Sequence, residues 1–293
     1  MTNCDSGTPF SRLWPTCRGE AGLGRPRLSQ HFLHNPRTAR RIAAAVRAPP
    51  GADVLEIGAG GGALTEHLIA RGWRVTAVEL DPRLAAALEE RWGDREEFRL
   101  VQGDILDFRL GSAGGEGKAW HVAGNLPYAI TSPIVFHLLD QVNAGPIADM
   151  VLMVQREVAE RLAAGPGSKA YGALTVGVRL QADVEKLFEV GPGEFRPAPR
   201  IRSSVVRLTP HDRWELDGSR LERVRRLVRR AFGQRRKQLQ KILRTSRPWM
   251  LDRLAAARIG EAAGIDLSRR PETLGVEEWL RLEAVLAAGP AER

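Results

Sequence analysis

Four consecutive residues combine groups that few peptide segments bring together: Asn125-Leu126-Pro127-Tyr128. Asn125 offers an amide oxygen as a hydrogen-bond acceptor. Leu126 precedes a proline, which holds it extended and aims backbone carbonyls outward. Tyr128 supplies a flat ring. Carbonyl acceptors beside a stacking face suit a planar base that bears an amino group. The same residues also suit a plain strand-to-helix turn with a core tyrosine, and alone they do not choose. A second group of residues points to a nucleoside. The run Gly58-Ala59-Gly60-Gly61-Gly62 permits a tight turn and a close approach of ligand to backbone. Glu79, 21 positions after Gly58, can accept hydrogen bonds from both ribose hydroxyls, and Asp104 can pair with an adenine amino group. This set fits S-adenosylmethionine. The pattern Gly58-x-Gly60-x-x-Ala63 also meets the looser dinucleotide fingerprint, so NAD or FAD stays open on the loop alone.

These residues need a scaffold, and the apolar runs before them supply one. Trp120 to Gly124 reads as a strand, so the tetrapeptide stands at its C-terminal mouth, where open α/β sheets bind ligands. Thr131-Ser132-Pro133 and a helix-like stretch from Ile134 to Leu139 follow. Val54 to Ile57 is a strand feeding the glycine run, Val75 to Val78 one ending at Glu79, and Phe98 to Val101 one ending before Asp104. Leu64, Leu68 and Ile69 mark one intervening helix, and Leu84 to Trp92 another. This alternation implies a parallel sheet covered on both faces. Gly58, Glu79 and Asp104 then line one crevice from neighbouring strand ends. A dehydrogenase has no evident use for Asn-Leu-Pro-Tyr at that mouth, whereas an enzyme that methylates an amino nitrogen does.

Elsewhere the chain is read more coarsely. Residues 1–26 are rich in Gly, Pro, Ser and Thr and read as a flexible extension; 111–117 read as a glycine-rich loop. Asn35 with Pro36 predicts a helix start. Ala148 to Val154 is a strand candidate, Gln155 to Ala164 a helix, and Ala182 to Val190 and Ser204 to Leu208 two further strands. Phe195 to Pro199 links these last two as a rigid extended segment. Thr209 to Asp212 marks a boundary, beyond which the pattern is helical.

The 293 residues are 43% hydrophobic, enough for a substantial core, and carry a net charge of +9. The charge is local. Between Leu221 and Arg247 stand eleven cations, among them Arg229, Arg230, Arg235, Arg236 and Lys237, against Glu222 alone. Above an apolar stripe of Leu221, Val224, Leu227, Val228, Ala231 and Phe232, such a face repels itself unless an anion neutralises it, which points to RNA phosphate. Cys4 and Cys17 have no metal-ligand spacing and predict neither zinc site nor disulfide framework. With no apolar run of membrane length and no secretory h-region, the expectation is a cytoplasmic chain that contacts no membrane.

Taken together and in order, these segments resemble the KsgA-type ribosomal RNA small-subunit adenine dimethyltransferases. The likeness runs from about Leu28 to Ala287. It rests on Gln30-His31-Phe32-Leu33, Glu56-Ile57-Gly58-Ala59-Gly60, the tetrapeptide, Gln155 to Leu162 and Gly167 to Gly172. Phe195-x-Pro197-x-Pro199 with Ser204 to Leu208, and Ala231-Phe232-x-Gln234-Arg235-Arg236-Lys237, complete it. The resemblance implies a Rossmann-like S-adenosylmethionine-dependent methyltransferase sheet (α/β) with a smaller all-helical C-terminal domain. The expected division is an extension over 1–26, a cofactor-binding catalytic domain over 27–210 and a helical RNA-binding domain over 211–293. It implies cofactor contacts at His31, Leu33, Gly58, Glu79, Asp104 and Asn125, and catalysis by Asn125, Leu126, Pro127 and Tyr128. Phe195 is a candidate second stacking surface for the base. The implied substrate is two neighbouring adenosines in a hairpin loop near the 3′ end of small-subunit (16S) rRNA, within a 30S particle or its precursor. A monomer without a metal is expected. The chain departs from the family pattern at Ser29, where glycine is usual, at His31, where asparagine or histidine occurs, and in its longer N-terminal extension. The rivals are a relative methylating 23S rRNA, of the macrolide-resistance type, and a non-catalytic assembly or transcription factor on the same fold.

Overall fold

The structure is a computed structural model that describes residues 31–112, 119–142 and 146–289. The extension over 1–26 with Cys4 and Cys17, Ser29 and Gln30, and most of the 111–117 stretch lie outside the described residues. In chain order the strands are β1 (Phe32–Leu33), β2 (Asp53–Ile57), β3 (Arg74–Glu79), β4 (Phe98–Gln102), β5 (Trp120–Asn125), β6 (Ile147–Gln155), β7 (Ala182–Val190), β8 (Phe195–Arg196) and β9 (Ser203–Pro210). The helices are α1 (Pro36–Ala45), α2 (Thr65–Ile69), α3 (Pro82–Trp92), α4 (Thr131–Leu139), α5 (Arg156–Ala163), α6 (Ala173–Arg179), α7 (Gly218–Phe232), α8 (Leu239–Thr245), α9 (Arg253–Ala263) and α10 (Val276–Ala288).

Seven strands form one sheet in the order β4-β3-β2-β5-β6-β9-β7. The first five are parallel, and both of their faces are covered. Val54, Ala123 and Met153 enter one buried cluster with Ile42 and Leu68, while their chain neighbours Leu55, Val122 and Leu152 enter the other with Ile134 and Leu138. That is why these strands read as continuous apolar runs rather than alternating ones. The chain leaves β2 toward β3 and β4 on one side and returns to β5 on the other. The C-terminal ends of β2 and β5, with Ile57 opposite Gly124, are therefore the switch point of the sheet.

Two features depart from an all-parallel reading. β9 runs antiparallel to both β6 and β7. The segment from β7 to β9 holds no helix that could carry the chain back across a face, so the strand returns beside its predecessor. In addition β1 pairs with β8 in a separate two-stranded ribbon, Leu33 opposite Phe195. The α1 cap is as predicted: Asn35 accepts from the Arg37 amide at 2.9 Å with Pro36 first in the helix.

Strands end at Pro210, and the described residues beyond are helical. These helices share a core with the sheet's own: Ala164, Tyr171, Val176 and Leu180 pack with Leu221, Val228, Trp279 and Leu282. A buried arginine of α7 adds a polar pin. Arg225, 6% exposed, donates to Asp140 at the end of α4 at 2.9 Å and lies over the Phe136 ring.

Candidate active site

At the switch point the chain turns sharply on Gly58 and Gly60, with φ of +67° and +57°. A side chain at Gly60 would sit 3.2 Å from the Phe32 ring, so the turn is closed from above by β1. The ribbon with β8 holds β1 there, although neither strand has any periodicity to read. Glu79, buried at the end of β3, orders the turn: one oxygen accepts from the Gly60 amide at 2.8 Å, the other from the Asp81 amide at 2.9 Å. Each carboxylate oxygen keeps a second lone pair for a ligand hydroxyl. Asp104, past β4, accepts from the Leu106 amide at 2.9 Å through Oδ1; Oδ2 has no bond among the described residues.

The tetrapeptide lies across from this set. Asn125 ends β5 and donates its amide hydrogen to the His31 carbonyl at 3.1 Å. That bond fixes which end of the amide is the oxygen, and leaves the oxygen as acceptor on the opposite side. Leu126 is 1% exposed, its side chain in the core and its amide bonded to the Met153 carbonyl at 3.0 Å. The Pro127 carbonyl is engaged, accepting from the Ile130 amide and the Thr131 hydroxyl, each at 3.2 Å. The Leu126 carbonyl accepts no bond among the described residues. Of these two backbone carbonyls, Leu126's is the available one. Tyr128 is half-buried; its hydroxyl bonds the Ser203 hydroxyl at 2.8 Å, and its ring lies 6.0 Å from that of His31.

His31, Leu33, Gly58, Glu79 and Asp104 line one cavity with all four residues of the tetrapeptide. At about 290 Å³ it far exceeds the ~10–15 Å³ that one ordered water needs. Glu56 also lines it, and the sequence reading did not single that residue out. Its carboxyl is 1% exposed, and Oε2 has no hydrogen-bond partner among the described residues. Burial, with the nearby Glu79 charge, pushes its pKa up to about 7 against the opposing pull of Thr65. The available sign was the acid itself, set inside an apolar strand run.

The glycine turn, Glu79 and Asp104 with spare acceptor capacity, and the tetrapeptide thus meet around one cavity. The profile of the family described as "Ribosomal RNA adenine dimethylase" matches residues 22–282. The chain belongs to that family. It is 44% identical over 263 residues to the Ribosomal RNA small subunit methyltransferase A of Pseudomonas putida, covering 90% of this chain and 95% of the relative. Among solved structures it is similar to the 23S rRNA methyltransferase ErmE, with TM-score 0.66, 29% identity, and 87% of this chain and 99% of the other covered. A dimethyladenosine transferase from Plasmodium falciparum shares the fold, with TM-score 0.71, 24% identity, and 86% and 96% covered. Adenine dimethylases of this family draw their methyl groups from S-adenosylmethionine, and the cavity fits that cofactor: the glycine turn carries no side chain, and the carboxylates of Glu79 and Asp104 beside it keep acceptor capacity beyond their bonds to backbone amides.

In this dimethylase the residues expected to hold RNA separate into two groups. Phe195 is corrected: it is 2% exposed, packed in the core with Leu33, Val190 and Val205, because its pairing with Leu33 turns the ring inward. It offers no free face for a base. Arg235 is a pin between segments, donating to Glu272 at 2.6 Å and to the carbonyls of Lys169 and Ser168 at 2.8 and 3.0 Å. Arg229 donates to Glu222 at 3.0 Å. Arg230, Arg236 and Lys237 are exposed. No group of three or more His, Cys, Asp or Glu among the described residues could hold a metal ion, and no described helix is long and apolar enough to cross a membrane.

Proposed function

We propose that this chain dimethylates the exocyclic amines of two adjacent adenosines in the hairpin loop at the 3′ end of small-subunit (16S) rRNA. It acts as a monomer, in the cytoplasm, on a 30S particle or its precursor, and so contributes to small-subunit biogenesis. The observation that supports the reading is that Asn125 and Leu126 line the same cavity as Gly58, Glu79 and Asp104, with the Asn125 amide hydrogen turned to the His31 carbonyl. The likeness to the Pseudomonas putida enzyme, at 44% identity against 29% for ErmE, supports the small subunit over the large one.

Bound S-adenosylmethionine supplies a methyl group made electrophilic by its sulfonium. The protein's part is to hold and orient. Glu79 accepts the ribose hydroxyls and Asp104 the adenine amino group, while His31 and Leu33 close the other side. On the substrate side, the adenine amine is a weak nucleophile because its lone pair is delocalised into the ring. Acceptors on both its hydrogens, Asn125 Oδ1 and the Leu126 carbonyl, draw the nitrogen toward a pyramidal form and free the lone pair. Tyr128, anchored through its hydroxyl, keeps its ring for stacking. This is catalysis by positioning and fixed dipoles. A strong base is not needed, because the nitrogen becomes acidic as it is alkylated. After the first transfer one N–H remains for one of the two acceptors, which keeps the amine in register for the second.

The test is to incubate the protein with isotopically labelled S-adenosylmethionine and small subunits lacking the modification, and to map the methylated nucleotides. Dimethyladenosine at two adjacent loop positions is expected. Label in large-subunit RNA when unmodified large subunits are supplied in a parallel reaction, or no label in either despite cofactor binding, would favour the rivals.

A further inference from the structure

From the end of β8 to the first residue of β9 a strap, Pro197 to Ser203, is tied at both ends to the cavity wall. The Pro197 carbonyl accepts from His31 Nδ1 at 2.8 Å, and the Ser203 hydroxyl bonds that of Tyr128 at 2.8 Å. Pro199 is buried beneath it and Ser203 is fully buried. The residues between face outward. Ile201 is 44% exposed, one of four exposed large hydrophobic side chains among the described residues. A single exposed isoleucine is ordinary; its company is not. Arg196, Arg200 and Arg202 are all exposed, no acid occurs from Arg196 to Ser203, and Arg156 joins them, its backbone N–H donating a hydrogen bond to the Arg202 carbonyl at 3.0 Å. Arg202 has Glu189 at 3.2 Å, whereas Arg196 and Arg200 have no ion-pair partner among the described residues. Two residues of chain reach at most about 7 Å, so Ile201 stands close beside the Tyr128 ring's anchor.

An adenosine must leave its stack before its amine can enter the cavity, and that leaves a gap in the RNA and two flanking phosphates held apart. We propose that the strap is the lip over which the RNA is opened: Arg196 and Arg200 hold the phosphates on either side of the extruded adenosine, and Ile201 fills the space its base vacates. Apolar wedges beside cations serve this purpose in nucleic-acid-deforming proteins. The assignment rests on the methylation of small-subunit RNA argued above. It adds a second RNA contact, at the mouth, to the basic helices.

Unmodified small subunits serve as the probe. Wild type, Arg200→Gln, Arg200→Lys and Ile201→Ala are compared for subunit affinity across a salt series, for kcat/KM, and for S-adenosylmethionine affinity. Arg200→Gln should lower the slope of log affinity against log salt by about one, and Arg200→Lys should restore it. Ile201→Ala should keep the salt slope but lose about tenfold in kcat/KM, since unstacking is then unassisted. Cofactor affinity should stay at the wild-type value in all three. Variants with wild-type slope and kcat/KM overturn the proposal, as does a loss of cofactor affinity, which would mark the strap as structural. A wild-type protein that methylates nothing sinks the underlying reading and the strap with it; wild-type turnover with unaffected variants sinks the strap alone.

Discussion

Two polar side chains enter the crevice from neighbouring strands, Asn125 from β5 and Glu56 from β2, and their surroundings treat them oppositely. Asn125 is oriented by the His31 carbonyl, whereas Glu56 has one oxygen without a partner among the described residues and a pKa pushed up to about 7. The raised value has a consequence for stability. Below the unfolded-state value near 4.5 the group is protonated in both states, so it contributes no pH dependence there. Between about 4.5 and 7 the unfolded chain releases the proton and the folded chain keeps it, so stability falls with rising pH and levels off above. The total is about 3 kcal/mol. Glu56→Gln should remove this slope, so that urea midpoints at pH 5 and pH 8 differ less in the variant than in wild type; equal differences would contradict it. Asn125, Glu79 and Asp104 were legible because they end apolar runs, where a polar group in a parallel sheet meets a ligand rather than core. Glu56 was quoted only as part of a motif, since the sequence does not tell whether an acid inside such a run finds a partner.

The parallel strands were legible for the same reason: Val54 to Ile57 and Val75 to Val78 are buried on both faces and need no alternation to be seen. The β1–β8 ribbon was not, because two-residue strands carry no period, yet it puts Phe32 over Gly60 and turns Phe195 inward. In α7 a sign was present and was absorbed into the charge count. Leu221, Arg225 and Val228 follow one another at spacings of four and three, so Arg225 lies on the apolar stripe and cannot face RNA. Instead it joins α7 to α4 through Asp140, whose charge offsets the burial that disfavours the guanidinium. Arg225→Ala should destabilise the protein by about 3 kcal/mol, the low end for a broken buried pair, because Asp140 keeps some access to water. Denaturant unfolding measures this, and a change under about 0.5 kcal/mol would place the residue among ordinary surface positions.

Across the whole molecule, the sequence located the excess charge correctly but could not sort its arginines. Arg225 and Arg235 hold segments together, while Arg230, Arg236 and Lys237 remain exposed for a polyanion. The difference is measurable. Replacing Arg236 and Lys237 with glutamine should reduce the salt slope of small-subunit binding by about two, roughly one per lost phosphate contact, with little change in melting temperature. Arg235→Gln should do the reverse, lowering the melting temperature through the lost contacts to Glu272, Ser168 and Lys169 while leaving the slope nearly unchanged. The helices beyond Pro210 share their core with α6 and with Ala164 and Tyr171 before it, so a loss in that joint should reach the catalytic sheet as well.

The central claim is that Asn125 and the Leu126 carbonyl clamp an adenine amine in the cofactor's own cavity. Single-turnover methyl transfer to unmodified small subunits by Asn125→Ala, with cofactor affinity measured on the same preparation, tests it most directly. The clamp predicts transfer slowed by about 100-fold or more with cofactor affinity within about tenfold of wild type. Transfer at near the wild-type rate would contradict it.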